Sequence, residues 1–155
     1  MHKELDIYID GACIGNPGEA AIGVVVKHND KILKEISKPI GQGTNNMAEY
    51  NAFICALQEA LILKAERIRI YTDSELLFRQ MGGYYKVKSE QLKPLFTQAQ
   101  HLMKGFSHIE CRQIPREENK QADQLASKAL KILPNRDKGQ AKVVVLTFPQ
   151  DKGKV

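Results

Sequence analysis

The chain contains no tryptophan, and its three cysteines, Cys13, Cys55 and Cys111, stand far apart. Their number is odd, no two share a CxxC spacing, and no paired histidines accompany them. This pattern argues against a thiolate zinc cluster and against a disulfide framework, and it fits a reducing compartment. Long apolar runs are missing too. No stretch of 18 apolar residues occurs, so no membrane-spanning helix is expected. The opening MHKELDIYID lacks the apolar core of a signal peptide, so none is expected there. A cytoplasmic address follows as an expectation. No internal repeat or long low-complexity segment interrupts the chain.

What is present is an ordinary globular balance, 43% hydrophobic and 26% charged over 155 residues. That length suits one domain, and a chain of this size buries roughly 68–70% of its unfolded surface without needing a staple. The net charge of +5 permits a polyanionic partner without demanding one.

The hydrophobic pattern gives the element order. Leu5, Ile7 and Ile9 alternate with Asp6, Tyr8 and Asp10, the period of a strand reaching Ile14. Ala20–Asn29 and Lys31–Ile40 continue as two more strands, joined at Asn29-Asp30 in an antiparallel meander. Gly41–Asn46 breaks the pattern. Met47, Tyr50, Ile54, Leu57 and Leu61 then recur at helical spacing, with Asn46 and Glu49 spaced as a capping box. Glu66–Ser74 reads as a strand, followed by a short helix that stops at Gly82-Gly83. A helix over Leu92–Phe106 takes Pro94 in its first turn. A fifth strand spans His108–Ile114. A final helix, Asn119–Leu133, turns Ala122, Leu125, Ala126, Ala129 and Leu133 inward before Pro134. Beyond it lies a polar link, then an apolar β-like run, Val143–Phe148, expected to join a sheet edge of its own chain or of a neighbour. The order predicts a mixed sheet packed with helices.

Two strands carry the same short text, Tyr8-Ile9-Asp10 and Tyr71-Thr72-Asp73. If they are parallel neighbours, Asp10 and Asp73 lie side by side at the carboxyl end of the sheet, where open α/β sheets bind ligands. Like charges so placed repel unless a cation intervenes. Glu49 and Asp123 sit near helix starts, each with an asparagine one turn earlier, Asn45 and Asn119. Each acid has a local alternative: Glu49 as a capping-box residue, Asp123 as a charge favoured by a helix N-terminus, Asp73 as an N-cap, Asp10 as a turn initiator. Those alternatives do not explain the four together. Carboxylates without His or Cys suit hard divalent cations such as Mg²⁺ or Mn²⁺. Two such ions are the usual arrangement for phosphodiester cleavage.

The segments YIDGACIGNPGEAAIG, TNNMAEYNA, YTDSELL and PREENKQADQLA, in this order, resemble those of type 1 ribonuclease H. The resemblance covers roughly Leu5 to Leu133. It implies an α/β fold, a five-stranded mixed sheet with three antiparallel strands and then parallel additions, flanked by helices. It assigns residues 1–134 to the catalytic domain and 135–155 to a tail. It implies metal-dependent hydrolysis of the RNA strand of an RNA–DNA hybrid, leaving a 5′-phosphate and a 3′-hydroxyl. The family's catalytic and metal-holding acids fall on Asp10, Glu49, Asp73 and Asp123, and its catalytic Asn before the last acid on Asn119. Hybrid contacts fall on Cys13, Asn16, Asn45, Asn46 and Ser74. Asparagines there suit minor-groove edges and 2′-hydroxyls, which distinguish RNA from DNA. Double-stranded RNA is a second candidate substrate, and a non-catalytic nucleic-acid-binding module is the reading from another class. A monomer is expected, with association through the tail as the alternative.

The departures from the family matter as well. The loop before the last acid is short and lacks the His that many bacterial members carry, while His101 and His108 are poorly placed to replace it. Arg116, seven residues before Asp123, is assigned to phosphate contact or product departure. The basic helical protrusion is also absent. In its place Gly82–Gln91 offers Tyr84, Tyr85, Lys86 and Lys88, with Tyr84 and Lys86 as candidate contacts to the DNA strand. Glu75 stands where several relatives have Gln.

Overall fold

The computed structural model describes residues 4–130. The expected end of the last helix at Leu133, the division at 134/135 and the strand at 143–148 fall outside the described residues. The elements are β1 (Glu4–Gly15), β2 (Gly18–His28), β3 (Lys31–Gly43), α1 (Asn45–Ile62), β4 (Arg67–Thr72), α2 (Glu75–Met81), α3 (Lys93–Met103), β5 (His108–Gln113), a 3₁₀ turn (Arg116–Glu118) and α4 (Lys120–Leu130). They form one five-stranded sheet in the order β3-β2-β1-β4-β5. The first three strands pair antiparallel. β4 and β5 add parallel to β1, as the element order predicts.

Local chemistry explains the turns. Asn29 and Asp30 take φ of 51° and 66°, a two-residue turn whose twist matches the strands it joins and which Asn and Asp tolerate. β3 runs through Gly41–Gly43, a segment the sequence pattern assigned to a break. A register shift opposite Ala20/Ala21 and Gly41 at φ 86° carry the strand onward, which is a bulge device.

The period-2 pattern sorts side chains between two faces. Leu5, Ile7, Ile9, Val24, Val26, Ile68 and Ile70 meet Tyr50, Phe53 and Leu57 of α1 in the main core. Fully burying one such side chain contributes ~1.5–3 kcal/mol. α1 also buries Ala48, Ala52, Ala56 and Ala60, a four-residue series of small side chains that lets the helix lie close to the sheet. α4 covers the other face with Ala122, Ala126, Ser127 and Leu130 buried. Leu125 and Ala129, expected inward, are half-buried. A Cβ on Gly23 would overlap the Ala122 carbonyl oxygen and lie 2.7 Å from the Ala126 nitrogen. Only glycine allows α4 to rest directly on β2 at this point, opposite Asp10 in the register.

Two cap assignments change. Thr44 Oγ1 accepts from the Met47 N–H at 3.1 Å and caps α1. The Asn46–Glu49 capping box does not form, and Glu49 lies two residues further into the helix than its predicted first-turn place. Ser74, not Asp73, caps α2, accepting from the Leu77 N–H at 3.1 Å. Both changes leave an acid uncommitted to helix capping.

Candidate active site

The parallel pairing of β1 with β4 runs from Glu4↔Arg67 to Tyr8↔Tyr71. The two tyrosine rings stack at 4.4 Å between centroids, 8° from parallel, so the twin Tyr-x-Asp texts do lie side by side. Asp10 is not at the end of its strand, because β1 continues against β2 to Gly15. It sits just past the last β1–β4 pair, where the two chains separate.

Into that gap α1 brings Glu49. Its Oε1 accepts from the Gly11 N–H at 3.1 Å. Gly11 is required for this approach, since a Cβ there would lie 2.6 Å from the Glu49 nitrogen. The pattern reading missed Gly11. The signal was available: a glycine inside a strand marks close backbone approach. Asp10, Glu49 and Asp73 each present an oxygen within 4.8 Å of the others. Asp123 stands outside that trio but acts electrostatically on all three.

Removal from water, then mutual repulsion, pushes the carboxyls up. Asp10, only 7% exposed, rises well above the ordinary value through burial and then the charges of Glu49, Asp73 and Asp123. Glu49 rises to about 8 through burial and the Asp73 charge, opposed by the Gly11 bond and by Arg116. Asp73 rises through burial, opposed by Asn119 and Arg116. Arg116 lies in the 3₁₀ turn, exposed, with its charge felt at two of the acids. Asn119 is buried, and its Nδ2 donates to the Ile9 carbonyl at 2.8 Å and to Asp73 Oδ2 at 3.3 Å.

The expected hybrid contacts form a second group. Asn16 lies in the β1–β2 turn and its Oδ1 accepts from the Asn45 N–H at 2.9 Å. Cys13 Sγ donates to the Gly43 carbonyl at 3.3 Å. These two ties join the hairpin to the last residue of β3 and the first of α1. The side chains of Asn45 and Asn46 are exposed.

Tyr84 and Lys86 are not joined to the acids by any contact among the described residues. Tyr84, 71% exposed, edges an apolar cavity of about 300 Å³ with Phe78, Met81, Met103 and Cys111. The loop is anchored by a buried relay: Tyr50 Oη donates to Gln80 Oε1 at 2.6 Å, and Gln80 Nε2 donates to the Lys86 carbonyl at 3.4 Å. Glu75 pairs with Arg79 at 3.0 Å. His108 pairs with Glu110 at the opposite end of the parallel strands, and His101 lies in the last turn of α3. A cavity of about 530 Å³ at that opposite end is lined by Glu4, Arg67, Arg69 and His108, and it is remote from the acids.

Comparison with known proteins gives concordant matches. A family model described as reverse transcriptase-like matches residues 8–129. The bifunctional protein Rv2228c of Mycobacterium tuberculosis is 38% identical over 152 residues, a match covering 95% of this chain and 42% of that protein. The chain therefore spans less than half the length of that relative. Among solved structures, RNase H1 from the halophilic archaeon Halobacterium salinarum superposes with a TM-score of 0.79 at 38% identity, covering 82% of this chain and 97% of the other. LC11-RNase H1, solved in complex with an RNA/DNA hybrid, superposes with a TM-score of 0.77 at 40% identity, covering 81% and 95%.

Proposed function

Because the chain belongs to the type 1 ribonuclease H family, we propose that it is a metal-dependent endoribonuclease. It hydrolyses the RNA strand of RNA–DNA hybrids and leaves a 5′-phosphate and a 3′-hydroxyl. One observation carries this reading: carboxylates from β1, from α1 and from just after β4, far apart in sequence, converge within 4.8 Å with Asp123 adding its charge. Such a cluster, with Asp10 and Glu49 pushed well above ordinary carboxylate values, is stable only with protons or cations between its members.

The donor set fits hard divalent ions, being all oxygen. Asp10, Glu49, Asp73 and Asp123 would hold two ions, Mg²⁺ or Mn²⁺. Bound ions supply an acidified water and charge stabilisation at the leaving 3′-oxygen. The remaining work belongs to the chain itself. The Gly11 N–H fixes one Glu49 oxygen, leaving the other for a ligand. With its Oδ1 committed to Asn45, Asn16 has only Nδ2 to offer, a donor suited to minor-groove acceptors. Asn45, Asn46, Cys13 and Ser74 line the RNA side. Arg116, whose charge reaches Glu49 and Asp73, contacts phosphate during cleavage or departure. Tyr84 and Lys86 receive the DNA strand.

A substrate panel tests this: labelled hybrid and labelled double-stranded RNA, each with Mg²⁺, Mn²⁺ or EDTA. Cleavage of the hybrid with either ion and none in EDTA is expected. Asp10→Asn should abolish cleavage while keeping fold and hybrid binding. Binding without cleavage in every condition would instead favour a non-catalytic module, and cutting of double-stranded RNA would widen the substrate class.

A further inference from the structure

Asn119 is 1% exposed and carries the one buried side-chain polar atom found without a partner among the described residues, its Oδ1. Buried amide oxygens almost always find a donor, so this orphan requires an explanation. The rest of the side chain is fully engaged. Both Nδ2 protons are directed at acceptors, the Ile9 carbonyl and Asp73 Oδ2, which also fixes the orientation of the amide. Its backbone is engaged too: the N–H donates to the Arg116 carbonyl, and the carbonyl accepts from the Asp123 N–H.

The surroundings offer Oδ1 nothing. With an ion bound, the four acids gathered here, on β1, on α1, just after β4 and on α4, are carboxylates, which accept and do not donate. Two donors beside the acids are committed elsewhere, the Gly11 N–H to Glu49 and Asn119 Nδ2 to Asp73, and no donor among the described residues reaches Oδ1. With the acids ionised, the donor for Oδ1 has to come from outside the described residues. Oδ1 shares a planar carboxamide with the nitrogen that touches Asp73, so it lies within one amide group of that acid. A divalent ion held by that cluster keeps several of its waters, and those waters are strong donors.

We propose that Asn119 is a positioning residue for the hydrated ion: Nδ2 ties β1 to Asp73, and Oδ1 accepts a hydrogen bond from a water that the divalent ion carries. This rests on the reading of the four acids as an ion centre and adds a partner for the ion's water shell. It also explains why a buried asparagine, and not a leucine of similar branched outline, stands between β1 and β4.

The test separates the acceptor from the donor. Asn119→Leu keeps the branched outline, with bulkier ends, and removes both functions. Asn119→Asp keeps an acceptor oxygen and removes the donors. Magnesium affinity is measured by titration calorimetry without nucleic acid, with circular dichroism to verify folding. Loss of an outer partner of a metal site typically weakens binding about ten- to a hundredfold. That loss is expected for Asn119→Leu, with affinity kept in Asn119→Asp. Parent-like affinity in Asn119→Leu, or equal loss in both variants, would overturn the proposal, since the first means a structural tie alone and the second means that only the donors matter. The side-chain carbonyl carbon of Asn119 in the unaltered protein gives a reading that needs no variant: its NMR signal should shift on saturation with magnesium, and an unmoved signal refutes the inference. If the unaltered protein binds no magnesium at all, the ion centre itself fails, an outcome distinct from a bound ion that leaves Asn119 silent.

Discussion

Glu49 illustrates how a single residue acquires its chemistry from distant chain. Its oxygen is held by a backbone N–H 38 positions away, and its proton affinity is raised to about 8 by burial and by Asp73. A carboxyl whose folded value exceeds its unfolded one binds its proton more tightly when folded. Its contribution to stability is therefore present at low pH and lost as pH rises. For Glu49 the window runs from 4.5 to about 8, and Asp10 and Asp73 act in the same direction. In EDTA the protein is expected to melt at lower temperature at about pH 8 than at about pH 5, by scanning calorimetry. Asp10→Asn should flatten that slope, and added Mg²⁺ should restore stability at the higher pH. Arg116 gives a second prediction at this scale. Arg116→Ala should lower turnover about ten- to a hundredfold, the equivalent of ~1.5–3 kcal/mol for a hydrogen bond to a charged group. Unchanged turnover with both Mg²⁺ and Mn²⁺ would remove it from the site.

Among the elements, α4 has the most to lose from a small change beneath it. It carries Asp123, follows directly on Asn119, and rests on the bare backbone of Gly23. Gly23→Ala must push the helix outward, because the atoms it would meet are backbone. The expected cost is ~1–3 kcal/mol of stability, read by urea denaturation. Turnover should fall further than stability explains, by up to about a hundredfold, since displacement of about 1 Å at a catalytic centre is enough for that. Parent-like turnover in single-turnover assays would show that α4 can be displaced without consequence. α1 is the contrasting case. Its buried alanines and its Tyr50–Gln80 bond fix it from two sides, so Glu49 is delivered by a rigid element.

For the whole molecule, a net charge of +5 without a basic protrusion predicts hybrid binding by few, countable phosphate contacts. Lys86→Ala is expected to reduce the slope of log affinity against log salt by about 1. Tyr84→Ala should weaken binding by ~1–3 kcal/mol with little change in that slope, as loss of a stacked base would. Fluorescence anisotropy in EDTA over a salt series measures both. An unchanged slope for Lys86→Ala would assign it to solvent.

The strands, the helices and their order were legible in the chain, because periodicity is a local property, and the four carboxylates could be picked out as candidates by residue type and position. Tyr8-Ile9-Asp10 and Tyr71-Thr72-Asp73 even announced their own pairing. What stayed hidden was every feature that depends on which backbone meets which. Capping fell to Thr44 and Ser74 instead of Asn46 and Asp73 because the real helix starts were set by the bulged end of β3 and by the turn after β4. Gly11 and Gly23 went unremarked in the pattern and proved to be the contact points of α1 and α4 with the sheet. The sequence by itself determined a mixed α/β sheet with four carboxylates able to serve hard cations. Only the tertiary structure decided how those carboxylates are oriented and how tightly their protons are held, since both follow from burial and from distances between groups up to 110 residues apart in the chain.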